Sequence, residues 1–278
     1  MALYRRVYVE IINRCNCSCS FCPGTVREPA QMSTEQFAHV LQQLKGVTEY
    51  LYFHVMGEPL IHPHLPQLVA MAKEHGFHPA ITTNGTLLHL YGADLIAAGV
   101  YKVNISVHSF EQGTEEAYHN YINHCLDFAD IASKSGVLVV LRLWNQGHDN
   151  GRNVDIARLI GERFGTDWQH GRKGITIRKN LFLEYDDRFS WPDLQAEDGG
   201  AEVFCYGLKD HFGILCDGSV IPCCLDREGA ITLGNIFETD IREILASPRA
   251  EKMVQGFRNR KACEELCRKC GYARRFSK

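Results

Sequence analysis

The stretch that decides the reading of this chain is Arg14-Cys15-Asn16-Cys17-Ser18-Cys19-Ser20-Phe21-Cys22-Pro23. Within it Cys15, Cys19 and Cys22 follow the spacing C-x3-C-x2-C. A short polar loop this dense in thiols can wrap its sulfurs around one compact object. Three thiolates are one fewer than a closed structural zinc site takes, and one fewer than an ordinary four-cysteine iron–sulfur cluster takes. A cluster held by three leaves one iron open to bind and activate something else. The competing zinc knuckle would need Cys17 as its fourth ligand, and alternate residues over so short a span would strain a tetrahedral site.

Outward from the loop, the chain alternates. Residues 7–12 (Val-Tyr-Val-Glu-Ile-Ile) read as a β-branched strand feeding into the cysteines. Ser33-Thr34-Glu35-Gln36 has the form of a helix capping box, and Phe37, Val40, Leu41, Leu44 and Val47 follow at helical spacing. Further strands are expected at 51–55, 77–83, 100–108, 137–143 and 174–178. Helices are expected at 65–75, after Asn84-Gly85 up to Gly99, at 114–134 and at 154–164. Six β/α repeats predict a parallel sheet with right-handed crossovers. Six is fewer than the eight of a closed barrel, so the expected fold class is α/β, a partial (β/α)6 TIM-like barrel. After Asn180 the pattern changes. Residues 185–200 are rich in Asp, Gly, Pro and Trp and read as a bridge or lid. A hairpin at 212–216 and 219–223, turning at Asp217-Gly218, a helix at 241–258 and a cysteine-rich tail complete the chain. The expected domains are a core at 1–182, the bridge at 183–200 and a small hairpin-plus-helix cysteine-rich domain at 201–278.

The chain has 278 residues, 45% of them hydrophobic and 23% charged, as in ordinary globular proteins. A net charge of −3 gives no global attraction to nucleic acid or anionic membrane. No apolar run is long enough to span a bilayer and the start lacks a signal-peptide core, so the chain reads as cytoplasmic. Its twelve cysteines cluster at 15–22, 205–224 and 263–270, with only Cys125 alone. In a long chain without a signal peptide, such clustering favours metal binding over disulfides.

With the cysteine loop placed directly after the first strand of a β/α barrel, the chain resembles the radical S-adenosylmethionine (SAM) superfamily, from residue 7 to about 180. Phe21 matches the aromatic beside the last cysteine, and Met56-Gly57-Glu58-Pro59 matches the Gly-Gly-Glu-Pro-type motif, with Met56 in place of the first glycine. Thr82-Thr83-Asn84-Gly85 closes the third strand, while Ser106 and Arg142 stand where members contact the SAM carboxylate and ribose. The resemblance implies a [4Fe-4S] cluster on Cys15, Cys19 and Cys22, with Phe21, Gly57, Glu58, Asn84, Ser106 and Arg142 around SAM. Reductive cleavage of SAM there would give a 5′-deoxyadenosyl radical. Singly, Gly57-Glu58-Pro59 and Asn84-Gly85 are common turns; their order on successive strands makes them specific.

The second half resembles the SPASM/twitch extension of that superfamily, the shortened kind with one auxiliary cluster. Cys205, Cys223, Cys267 and Cys270 are the expected ligands of this second [4Fe-4S] cluster, with Cys263 in reserve and Cys216 and Cys224 close enough to substitute. A zinc ribbon would suit two cysteine pairs equally well. Cys17 and Cys125 are expected to pack as small apolar side chains. Catalytic candidates on the substrate side are Tyr185 and Asp226. One of His54, His62, His64, His108 and His148, all near strand ends, is a candidate to line a substrate cavity.

The function expected is hydrogen abstraction and two-electron oxidation of a small molecule, with a reductant such as flavodoxin or ferredoxin. The first strand starts near residue 7, leaving no module ahead of it to grip a leader, and this favours a small molecule over a peptide. The alternatives are a maturase that oxidises, epimerises or crosslinks a peptide or protein, and a non-enzymatic zinc or iron–sulfur binding protein. Neither a membrane nor a nucleic acid is expected as partner.

Overall fold

The computed structural model describes residues 3–111, 113–171 and 174–276. The first parallel strands are β1 (Arg6–Val9), β2 (Tyr50–Tyr52), β3 (His78–Thr83), β4 (Lys102–Ser106) and β5 (Leu138–Gln146). The helices between and after them are α1 (Thr34–Gln43), α2 (Leu65–Glu74), α3 (Leu88–Ala98), α4 (Glu115–Lys134) and α5 (Arg152–Phe164). Local signals act as expected. Ser33 and Gln36 form the capping box of α1, and Gly99, at φ 86°, ends α3 in the left-handed region that glycine adopts without strain.

Beyond α5, β6 (Gln169–Gly171), β7 (Gly174–Arg178) and β8 (Leu181–Asp187) depart from the expected repeat. The segment expected as the sixth parallel strand, β7, runs antiparallel to β8, and β8 is the strand parallel to β5. Asn180, at φ 63°, makes the tight turn between them. The boundary expected at 182 therefore falls inside β8. Six strands, β1–β2–β3–β4–β5–β8, form the parallel core of an open partial barrel.

The C-terminal hairpin, β9 (His211–Ile214) and β10 (Ser219–Ile221), joins this same sheet. β9 pairs in parallel with β1, Arg6 opposite His211 and Val9 opposite Ile214, and β11 (Gly234–Asn235) closes the edge. The long helix expected at 241–258 is two helices, α6 (Ile241–Leu245) and α7 (Pro248–Arg258). Ser247 caps α7 and Pro248 is its first residue, because proline cannot continue a helix but suits a first turn. A short α8 (Glu265–Arg268) lies in the cysteine-rich tail. No helix among the described residues is long and apolar enough to cross a membrane.

Strand alternation sorts the two faces. Val7 and Val9 face the helices and are fully buried, leaving Arg6, Tyr8 and Glu10 for the barrel interior. Glu10 is 0% exposed. Its Oε2 accepts from Arg27 Nη2 at 2.7 Å and from Met56 N at 3.0 Å, and its Oε1 from Cys216 N at 3.4 Å. One carboxylate thus joins the cysteine loop, the end of β2 and the C-terminal hairpin. Arg27 Nε also donates to Arg227 O at 2.8 Å, and Thr25 Oγ1 to Glu228 at 3.0 Å, so the loop is tied to the C-terminal unit twice more. Removing Glu10 would leave a half-buried guanidinium unpaired. The expected cost of Glu10→Ala is about 3–5 kcal/mol, with Glu10→Gln costing less, as measured by urea unfolding.

Candidate functional site

The loop is fixed from below by the turn after β2. Gly57 has φ +80° and approaches so closely that a Cβ there would lie 2.8 Å from Arg14 O, nearer still to Ile12 O. Glu58 N donates to Arg14 O at 2.8 Å. The Glu58 side chain is buried, Oε1 accepting from Leu60 N at 3.0 Å and Oε2 from Asn84 N at 2.7 Å. Burial raises its pKa to about 7, against the opposing pull of those two amides. Both oxygens are committed, so Glu58 ties the loop to the end of β3.

Asn84 continues the chain of contacts. Its Nδ2 donates to Asn16 Oδ1 at 2.8 Å and reaches Cys15 Sγ at 3.8 Å, while its Oδ1 accepts from Thr86 N at 2.9 Å. Cys15 is exposed and its pKa falls to about 6, through its hydrogen bond with Cys17 first, with Asn84 and nearby backbone amides also contributing. Cys17, expected to pack as an apolar side chain, instead sits half-buried in the loop and gives its N–H to Cys15 Sγ at 3.4 Å. Cys125 does pack in the core, against Gly85. Burial lifts Cys19 to about 11 and raises Cys22 as well.

The other expected residues surround this loop. The Phe21 ring lies 4.7 Å from that of His108, with Arg188 above it, and Phe21 O accepts from Trp191 Nε1 at 3.2 Å. Arg188 also reaches Glu111, whose carboxylate accepts from Ser20 N and Oγ. The segment expected as a bridge thus touches the cysteine loop at Phe21, through Trp191 and Arg188. Ser106, at the end of β4, and Arg142, midway along β5, are register partners. Arg142 turns inward, its guanidinium 4.4 Å from the Trp144 ring and 3.6 Å from Glu184.

Below them opens a cavity of about 680 Å³. Tyr8, Tyr52, His54, Arg142 and Trp144 line its barrel side, and Cys205, Cys223, Cys267 and Cys270 line its C-terminal side. All four cysteines expected to act together thus share one wall, with Cys224 beside them, packed near Tyr8. Burial raises the pKa of each of the four. A bound cation would bring such thiols back to thiolate, so the donor set fits a metal cluster. Cys216 is otherwise engaged, its Sγ donating to Glu10 O at 3.2 Å. Cys263 lies outside the cavity wall. Among the described residues no three His, Cys, Asp or Glu side chains close tightly enough to hold a single ion.

Two catalytic candidates change role. Tyr185 shares the Leu181 and Leu183 face of β8 and packs on the helix-side core, because alternate residues of a strand point the same way. Asp226 borders the cavity, but its two oxygens accept from Ala230 N and Ile231 N, both at 2.9 Å, and lock a turn. Glu10, Glu184 and the contribution of Tyr8 escape a motif-based reading. A lone acid in the run Val-Tyr-Val-Glu-Ile-Ile was the available signal for Glu10.

Comparison with known proteins follows the same division. Residues 9–160 match the family described as the radical SAM superfamily, and residues 205–271 match SPASM, an iron–sulfur cluster-binding domain. The GTP 3′,8-cyclase of Chlorobaculum tepidum is 32% identical, over 90% of this chain and 87% of that protein. A tungsten-containing aldehyde ferredoxin oxidoreductase cofactor-modifying protein of Pyrococcus furiosus is 36% identical, over 30% of this chain and only 24% of its own length. The PqqA peptide cyclase of Streptomyces rochei is 29% identical, over 55% of this chain and 44% of its own. In fold, the chain is similar to BtrN in complex with AdoMet and 2-DOIA, with TM-score 0.64, 19% identity and 97% and 94% of the two chains covered. SuiB of Streptococcus suis bound to its precursor peptide SuiA gives TM-score 0.51 at 13% identity, over 98% and 70%.

Iron content tests the two cysteine sets. About eight irons per chain are expected for two cubane clusters. Replacing Cys15, Cys19 and Cys22, or Cys205, Cys223, Cys267 and Cys270, should leave about four, whereas Cys216→Ser and Cys263→Ser should leave the count unchanged.

Proposed function

Given that this chain belongs to the radical SAM superfamily, and carries a [4Fe-4S] cluster with SAM and a SPASM iron–sulfur domain, we propose that it abstracts hydrogen from a small molecule and oxidises it by two electrons. The reading assigns Cys15, Cys19 and Cys22 to the SAM cluster, and Cys205, Cys223, Cys267 and Cys270 to one auxiliary cluster. The bound cofactor supplies the 5′-deoxyadenosyl radical. The protein's own part is placement. Gly57 and the backbone around Glu58 and Asn84 receive the SAM amino group, Phe21 packs beside the cluster, and Ser106 and Arg142 border the carboxylate and ribose. Trp191 and Arg188 pack against Phe21 on one side of the loop.

The observation that carries this reading is the single cavity running from Arg142 and Trp144 to the four auxiliary cysteines. A substrate seated there would face the SAM end and the auxiliary cluster together, and the second could accept the electron that the first step leaves. Under this reading the domains are a core, a bridge and an auxiliary-cluster unit, with the first boundary moved past β8. A small reductant protein such as flavodoxin or ferredoxin would deliver electrons.

The second reading is peptide modification. It is favoured by the similarity to PqqA peptide cyclase and to SuiB bound to a precursor peptide.

Anaerobic reduction of the reconstituted protein with SAM should release 5′-deoxyadenosine. Replacing Cys15, Cys19 and Cys22 by Ala should abolish it, while replacing Cys267 and Cys270 should leave cleavage at least partly intact. An intact, reducible cluster that yields no 5′-deoxyadenosine would overturn the radical reading. Deuterium transfer into 5′-deoxyadenosine from labelled small molecules or labelled peptides separates the two substrate readings.

A further inference from the structure

The C-terminal unit carries a basic patch outside the cavity. The chain as a whole has a net charge of −3. Yet Lys209, Arg258, Arg260 and Lys261 are all exposed, and none has a carboxylate within 4.0 Å among the described residues. The acids beside them in sequence are Glu202, opposite Lys261 in a backbone bridge, and Asp210, which pairs with Arg5 at 3.4 Å. Two of the cations share one ring. Lys209 Nζ stands 5.8 Å and the Arg260 guanidinium 6.0 Å from the centre of Phe204. Tyr206 meets that ring edge-on at 4.9 Å, and its own centre lies 5.7 Å from Lys209 Nζ. Cys205 falls between the two aromatic residues in sequence and, like Tyr206, lines the cavity. An expected cluster ligand, a partly exposed tyrosine and two unpaired surface cations are thus neighbours.

The backbone singles out Arg260. It follows α7 where Lys261 N reaches back to Gly256 O at 2.8 Å and Arg260 N to Phe257 O at 3.1 Å. Glycine ordinarily completes such a helix stop. Arg260 holds it at φ 55°, a strained angle for a residue with a Cβ. Glycine would suit the fold better, so the fold gives no reason for the arginine side chain. Val203 N donates to Arg260 O at 2.9 Å and Ala262 N to Ala201 O at 2.8 Å, which pins this turn beside Phe204.

Electron balance gives the patch a use. In the oxidation proposed above, the substrate loses one hydrogen atom to the radical, then one proton and one electron, and the electron enters the auxiliary cluster. That cluster must lose it before the next turnover. We propose that the patch around Lys209 and Arg260 docks an acidic one-electron carrier protein of the flavodoxin class, whose oxidised form takes this electron from the auxiliary cluster beside Cys205. The electron step rests on the reading of the second cysteine set as an electron-accepting cluster. Opposite charge steers such an encounter and makes its rate fall with salt.

The test uses the full chain with Cys15, Cys19 and Cys22 replaced by Ala, so that the auxiliary cluster is the one electron source. The reconstituted protein is reduced, freed of reductant and mixed with oxidised flavodoxin in a stopped-flow spectrometer. The rate of cluster reoxidation should fall about tenfold between about 50 mM and about 500 mM salt. At low salt, Lys209→Glu with Arg260→Glu should slow it about tenfold. Lys73→Glu with Lys179→Glu makes the same charge change at exposed positions on other elements, and should alter it less than about twofold. Arg260→Gly should slow transfer about threefold, while its melting temperature equals or exceeds that of the parent, which separates a docking arginine from a structural one. A rate that ignores salt, an unchanged rate in the Lys209→Glu, Arg260→Glu pair, or an equal loss in the control pair would overturn the proposal. So would a second cysteine set that holds no reducible cluster. Release of 5′-deoxyadenosine by the intact holoenzyme under a chemical reductant reports separately on the radical reading, and the Lys209→Glu, Arg260→Glu pair should leave it unchanged.

Discussion

A carboxylate fully removed from water must find donors, and Glu10 finds them in three parts of the chain at once. Its position at the end of β1 places it where the cysteine loop departs. Arg27 comes back from that loop, Met56 N from the turn after β2, and Cys216 N from the C-terminal hairpin. A charge buried this way is expensive unless every partner is present, so the loop, the barrel and the hairpin become ordered together. Gly57 and Glu58 add a second constraint of the same kind, a close backbone approach and a carboxylate bound by amides of two elements. The cysteine loop is long and polar, yet it is clamped on both sides.

This clamping explains why the C-terminal unit is an extension of the sheet. β9 lies beside β1 in parallel register, so the hairpin that carries Cys223 is positioned by the same strand that launches the first cysteine loop. Cys205, Cys223, Cys267 and Cys270 then line the same cavity as Tyr8 and Tyr52.

Much of this was legible in the sequence because local chemistry and tertiary role agreed. The capping box at Ser33, the stop at Gly99, the cysteine spacing and the turn residues around Gly57 and Asn84 each act over a few positions, and each keeps its meaning in the folded chain. The departures arise where two patterns compete. Gly174–Arg178 and Leu181–Asp187 are both strand-like, and only the turn at Asn180 shows that one folds back on the other. The Ser247-Pro248 break was readable from proline chemistry but was masked by apolar spacing that continues across it. Chain position alone points to Tyr185 and Asp226, whereas strand alternation and backbone amides decide what they touch. Glu10, His54 and Glu184 carry no motif; their meaning comes from neighbours more than forty positions away in sequence, such as Met56 for Glu10 and Arg142 for His54.

The central claim is that the three-cysteine loop holds a cluster with one iron open to SAM, while the second cluster is closed. Electron paramagnetic resonance of the reduced holoenzyme, recorded with and without SAM, tests it most directly. SAM should shift the signal of one cluster and leave the other unchanged, and a variant lacking Cys15, Cys19 and Cys22 should retain only the unresponsive signal. A spectrum that SAM does not alter, or a SAM response that survives in that variant, would contradict the account.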